Sequence, residues 1–282
     1  MTDKKFAVIG GDQRFRLLCS LLAEDGYSVF AAGLGDIDEI PGVTPVGYRE
    51  AAELSDCIVL PLPATADGST LWTPLASRPI LLDDAFGEMI KSKLVFAGRV
   101  GRMKEVYPTG LFLDYFASEP FQVKNAQATA EGALAEAIIN MPETIRGTKC
   151  LVCGWGRIGK LIAPMLRSIG GEVTVAARSE IDRAWAQSLS LQTIDFSNLS
   201  KDISDFRLII NTIPSVMFSR KVLCHVSKSA TLIDLSSQPG GVDFDAAKAL
   251  GIRSVHALSL PGKYSPLTAA RIIKDTILEI EV

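Results

Sequence analysis

The stretch Gly154-Trp155-Gly156-Arg157-Ile158-Gly159 sits between an apolar run, KCLVC, and an amphipathic stretch that begins at Arg157. In a strand–turn–helix context each glycine of this spacing has a task. The first permits a tight turn, the second lets backbone approach a pyrophosphate, and the third lets the helix pack closely on the strand. The leading N–H groups of the helix then face the anion. Gly154, Gly156 and Gly159 are therefore expected to bind a dinucleotide. The same residues nearly spell a triphosphate loop, but Leu161 stands where Ser or Thr would hold magnesium.

The following strand ends TVAARSE, residues 174–180. A site for NAD places Asp or Glu there, on the ribose 2′-hydroxyl. A carboxylate would repel a 2′-phosphate, whereas Arg178 offers a permanent cation with a planar fork and Ser179 a hydroxyl donor. Arg183, one turn on, could join them. These residue types predict NADP(H) as the cofactor. Three further loops follow later strands: NTIPS at 211–215, DLSSQPGGVDF at 234–244 and LPGKYSP at 260–266. Ligands of open α/β sheets gather at such strand ends. Thr212, Ile213 and Pro214 are expected near the nicotinamide ring, and Gly240 and Gly241 suit backbone running close to a ligand. Near the start, Gly10-Gly11-Asp12-Gln13-Arg14 lacks the dinucleotide spacing. Asp12 could cap a helix, and Arg14 could hold a carboxylate.

These loops need a scaffold. Apolar strand-like runs alternate with amphipathic stretches, the pattern of α/β layers around parallel sheets. Residues 1–122 read as one α/β domain, with strand-like segments KKFAVIGG, YSVFAAG, CIVLPLPA, RPILLDD, KLVFAGR and GLFLDYF. The Ala-rich stretch 125–141 reads as a long hinge helix, with Thr129 as a candidate early cap and Pro142 closing it. A second α/β unit completes 123–266, and an amphipathic helix at 267–282 is expected to complete the first domain.

Composition sets bounds. The 282 residues suffice for two domains, 48% of them are hydrophobic, and the net charge is −3. Basic residues are scattered, which argues against nucleic acid or anionic membrane as partner. No stretch approaches the roughly 18 apolar residues of a membrane span, and the run 6–9 is too short for a signal-peptide core. A cytoplasmic location is expected. Cys150 and Cys153 form a CxxC inside a strand, where positions three apart face opposite ways. With two histidines in the chain, no metal site is expected.

The segments GGDQR, NAQATAEG, GWGRIG, AARS, NTIPS, DLSSQPGGVDF and LPGKYSPLTA occur in the order seen in the A subunit of dipicolinate synthase, and the resemblance spans nearly the whole chain. It implies a flavodoxin-like domain and a Rossmann domain, arranged as in D-2-hydroxyacid dehydrogenases. It implies NADP, held by Arg157 and Ile158 together with the three glycines and by Arg178 and Ser179 on the ribose phosphate, a dihydrodipicolinate-type cyclic dicarboxylate as substrate, and a role in sporulation in the mother cell. The partner it implies is the flavoprotein-like B subunit of dipicolinate synthase. A homo-oligomer is also expected. Two positions depart from the pattern: Gln238 stands where a basic residue precedes PGG, and Ser259 where Gly precedes LPG. Arg14, Lys263 and Arg271 are the candidate substitutes for the missing cation.

For an oxidation driven by aromatisation, orientation and a hydride acceptor are the main needs. Thr212 and Ser236 could orient ring or cofactor. Asp234 and Glu131 are the candidate bases, although either could instead cap or pin backbone. A D-2-hydroxyacid dehydrogenase would require an Arg and a His–Glu pair, and the chain places neither; His256 falls inside a strand. A non-catalytic NADP-binding partner subunit is the third reading.

Overall fold

The computed structural model describes residues 4–281. The chain divides into two compact units, one running to Asn125 and resuming at Ser265, the other Ala126–Tyr264. Each is built on a six-stranded, wholly parallel sheet.

In the first unit the strands are Lys5–Ile9 (β1), Ser28–Ala32 (β2), Val43–Pro45 (β3), Cys57–Val59 (β4), Leu94–Ala97 (β5) and Leu111–Asp114 (β6), in the order β3-β2-β1-β4-β5-β6. Without the three-residue edge strand β3, the order is that of flavodoxin-like sheets. Pro45 is tolerated because it lies on an edge. In the second unit the strands are Lys149–Cys153 (β7), Glu172–Ala176 (β8), Gln192–Ile194 (β9), Leu208–Asn211 (β10), Thr231–Asp234 (β11) and Arg253–His256 (β12). Their order, β12-β11-β10-β7-β8-β9, is the doubly wound Rossmann order.

Parallel strands covered on both faces read as continuous apolar runs, with successive residues feeding opposite cores. Phe6 and Val8 pack with Phe15, Leu18 and Ile273, while Ala7 and Ile9 pack with Phe86, Ile90 and Met103. Cys150 and Cys153 belong to cores on the two faces of the second sheet. Burial pushes the Cys150 thiol up to about 12 and raises that of Cys153 as well, so neither is a thiolate at neutral pH. Among the described residues no helix is long and apolar enough to cross a membrane, and no group of three or more His, Cys, Asp or Glu could hold a metal ion.

Three elements differ from the sequence reading. The long helix is Glu119–Asn140, starting six residues earlier than expected at 125. Pro120 does not block it, because a first-turn N–H has no intrahelical partner in any case. The RPILLDD segment is not a strand; Leu81 makes only an isolated bridge with Thr70. The LPGKYSP segment is not an open loop, since Leu260–Tyr264 is a short helix. The final helix, Pro266–Glu281, packs on Gln13–Glu24 through Ala270, Ile273 and Ile277; Val282 lies outside the described residues.

The helix Leu260–Tyr264 is tied down by Glu136, which is 5% exposed. Its carboxylate accepts from Lys263 Nζ at 2.5 Å, Tyr264 Oη at 2.9 Å and Asn140 Nδ2 at 3.0 Å. Burial raises the Glu136 pKa, but the bonds from Lys263 and Tyr264 outweigh it and hold the group below its ordinary value. A carboxyl with a lower pKa folded than unfolded adds stability above the unfolded value, about 4.3, and that stability is lost as pH falls through the folded value. Glu136→Gln is expected to cost about 1 kcal/mol at pH 7, discounted because Lys263 is 57% exposed. Urea-unfolding midpoints should show the gap narrowing below about pH 4; a gap independent of pH would contradict the ionic role.

Candidate functional site

At the carboxyl edge of the second sheet, β7 runs into the glycine loop. Gly154 has φ +102°, a conformation that favours glycine, and its N–H donates to Ala176 O at 2.9 Å. Thr212 lies against it, donating from both N (3.0 Å) and Oγ1 (2.8 Å) to Cys153 O. A Cβ at Gly154 would strike Thr212 Oγ1, and one at Gly159 would strike the Gly154 carbonyl oxygen. Both glycines thus have reasons internal to the fold. Gly156 has none. It is exposed in an extended conformation with φ −80°, and a Cβ there would meet nothing within 4 Å. It caps the helix Arg157–Ser168 without a side-chain hydrogen bond, which leaves the helix N-terminus to an outside acceptor. The loop fits a dinucleotide pyrophosphate at the one glycine that the fold itself does not require. Trp155, between them, is 5% exposed, and its indole N–H has no hydrogen-bond partner among the described residues.

The end of β8 lies beside this loop, with Cys153 paired to Ala176. Ala176 and Ala177 are buried, and Arg178 is exposed with no side-chain hydrogen bond or ion pair among the described residues. Ser179 caps the helix Glu180–Ser188 by accepting from Asp182 N at 3.4 Å; its hydroxyl can still donate. Arg183 is turned inward. Its Nη1 donates to the carbonyls of Ala177 and Arg178, each at 2.8 Å, and pairs with Asp195 at 2.5 Å. Arg183 therefore holds the corner in shape instead of presenting a free cation.

The next two strand ends form a buried polar knot. Asp234 is fully buried and accepts four hydrogen bonds: Asn211 Nδ2 at 2.9 Å, Ser236 N at 3.0 Å, Ser236 Oγ at 2.6 Å and Gly241 N at 2.7 Å. Asn211 also closes its own loop, donating to Ile213 O at 3.0 Å. A general base needs a lone pair within reach of a substrate proton. Asp234 is buried and engaged on both oxygens, which favours the loop-pinning role that the sequence also allowed it. Gly240 and Gly241 are explained in the same way. Gly240 has φ +98°, and a Cβ on it would lie 2.8 Å from Asp234 Oδ2; one on Gly241 would lie 2.6 Å from Ile213 O. His256 is engaged too, with Nε2 2.8 Å from Ser236 O and its ring stacked on Phe244. Sequence reasoning placed Asn211 in a candidate loop without a role of its own and missed Glu136; a Glu inside an Ala-rich helix carries no local mark of burial.

Other predicted residues are placed as follows. Glu131 is exposed and accepts a hydrogen bond from Gln127 one turn back, at 2.9 Å. Lys263 is paired with Glu136 and is not a free cation for a carboxylate. Pro214 is exposed and Ile213 partly buried on the loop after β10. Arg271 is exposed on the last helix, in the first unit. Also in that unit, Arg14 is 4% exposed. Its Nε lies 2.9 and 3.1 Å from the Asp12 oxygens, and Nη2 donates to Leu62 O at 3.1 Å. Asp12 does cap its helix, accepting from Arg14 N at 3.0 Å. Gln238 is exposed. Ser259 adopts φ +56°, a left-handed backbone that explains why glycine suits that position.

Residues 5–105 match the model of the N-terminal domain of the dipicolinate synthase A subunit. The chain is 28% identical to the dipicolinate synthase A subunit of Bacillus subtilis (strain 168), over 99% of this chain and 96% of that one. It superposes on the crystal structure of the dipicolinate synthase A subunit from Bacillus halodurans with a TM-score of 0.88 and 28% identity, covering 98% of this chain and 97% of the other. A transhydrogenase from Sinorhizobium meliloti shares the fold at 17% identity, TM-score 0.68, over 98% of this chain and 93% of that one. Both the sequence match and the structural match run nearly from end to end, so the chain is similar throughout its length to dipicolinate synthase A subunits.

Proposed function

We propose that the chain is an NADP-dependent oxidoreductase that converts a dihydrodipicolinate-type cyclic dicarboxylate to pyridine-2,6-dicarboxylate. The balance is one hydride to NADP⁺ and one ring proton to solvent or base. The observation that carries the reading is the corner after β8, where Arg178 stands exposed and unpaired beside the glycine loop and no carboxylate occupies the strand end. Gly154, Gly156, Arg157, Ile158 and Gly159 would hold the pyrophosphate, and Arg178 and Ser179 the 2′-phosphate, with Arg183 shaping their loop. When bound, the cofactor supplies the hydride acceptor. Thr212, fixed on Cys153 O, sets the height of the glycine loop. Because the product is aromatic, orientation counts for more than a strong base, which agrees with the engagement of Asp234. The same engagement of His256 weighs against hydroxyacid dehydrogenase chemistry. The relatives are named as one subunit of a synthase, which supports a second, different subunit in the complex. We read that partner as the flavoprotein-like B subunit, in the mother cell of a sporulating bacterium, with this chain a homo-oligomer.

Three outcomes test this reading. Gly156→Ala should shift the thermal midpoint by no more than about 4 °C, because the added Cβ meets nothing within 4 Å, yet weaken NADPH at least tenfold by calorimetry. Arg178→Ala should weaken NADPH by more than tenfold, roughly the worth of a charge-assisted phosphate contact, with NADH little changed; equal losses for both would remove the 2′-phosphate role. Purified chain with NADP⁺ and freshly generated dihydrodipicolinate should give NADPH and pyridine-2,6-dicarboxylate absorbance together. No turnover, with or without the B subunit, would leave the chain a non-catalytic NADP-binding protein.

A further inference from the structure

At the carboxyl edge of the first sheet, Arg14 follows β1, and Arg99 and Arg102 follow β5. Arg14 is bound to Asp12 and Leu62 O, and Arg102 donates to Ala66 O. Arg99 differs from both. Its φ is +58°, in the left-handed region that side chains disfavour. Asp114, at the end of β6, holds it there: one carboxylate oxygen accepts from Arg99 N at 3.1 Å and the other from Val100 N at 3.3 Å. The same carboxylate accepts from Phe116 N at 2.9 Å and so sets the ring on which Arg99 rests, with the guanidinium carbon 4.8 Å from the Phe116 centroid. The guanidinium is exposed, and it has no hydrogen bond or ion pair among the described residues.

This turn is locked to the neighbouring loop. Gly98 N donates to Pro61 O and Ala64 N to Gly98 O, each at 3.2 Å, and the Leu62 side chain fills the space that a Cβ at Gly98 would need. Leu62 O is the carbonyl that Arg14 binds. Arg99 is therefore a fixed planar cation with free N–H edges, kept on a strained turn where its side chain packs no core. Strain held at such a place points to use of the side chain.

We propose that Arg99 is a carboxylate-binding residue of the first unit, receiving one carboxylate of the dicarboxylate through its guanidinium fork. This rests on the substrate reading above.

The test is calorimetric titration of the full chain, saturated with NADP⁺, with pyridine-2,6-dicarboxylate, comparing the unsubstituted protein with Arg99→Gly and Arg99→Lys. Glycine suits φ +58°, so Arg99→Gly should fold with an unchanged or higher thermal midpoint while lacking the cation. The expected result is at least a tenfold loss of dicarboxylate affinity in Arg99→Gly, a smaller loss in Arg99→Lys, and unchanged NADP⁺ affinity in both. Unchanged dicarboxylate affinity in Arg99→Gly overturns the proposal and leaves the substrate reading standing. Absence of dicarboxylate binding by the unsubstituted chain overturns both.

Discussion

The contact of Gly159 with the carbonyl of Gly154 governs the second unit. Because neither position carries a side chain, the helix Arg157–Ser168 can start directly beneath the turn that ends β7. Its N-terminus is then aimed across the sheet edge, where the backbone dipoles favour an anion. Thr212 reinforces the turn from β10, and Ala176 O receives Gly154 N from β8. Three adjacent strands thus meet at one peptide, and Gly156 is left as the open face.

The neighbouring loops are stabilised by a different device. Asp234 is buried with no cation paired to it among the described residues, and its charge is balanced by hydrogen bonds alone. Leaving any of these unmade would carry a desolvation penalty, so the knot rigidifies the loops after β10 and β11 together.

The arginines divide by the same logic. Arg183 and Arg14 are drawn inward by carbonyls and a carboxylate, and they fix loop shape. Arg178 and Arg99 project from the corners so fixed and keep their donors free. Each unit therefore has one arginine that shapes a strand end and another that is displayed from it or from a nearby turn.

The two parallel α/β units, the glycine loop and the absence of an acid after β8 were legible in the chain, because they rest on local periodicity and on glycine spacing. The edge strands β3 and β9 were not, since three-residue segments are held by pairing and carry no pattern of their own. Nor were the partners of Asp234, Arg183 and Lys263. Residue type states what a polar side chain could do, but only its neighbours in space decide whether its donors and lone pairs are already used. Those neighbours lie up to 127 residues away, as between Glu136 and Lys263. Sequence alone determined the scaffold and the character of the glycine loop. The tertiary structure decided which charges remain available, because burial and hydrogen-bond saturation are properties of the packed chain.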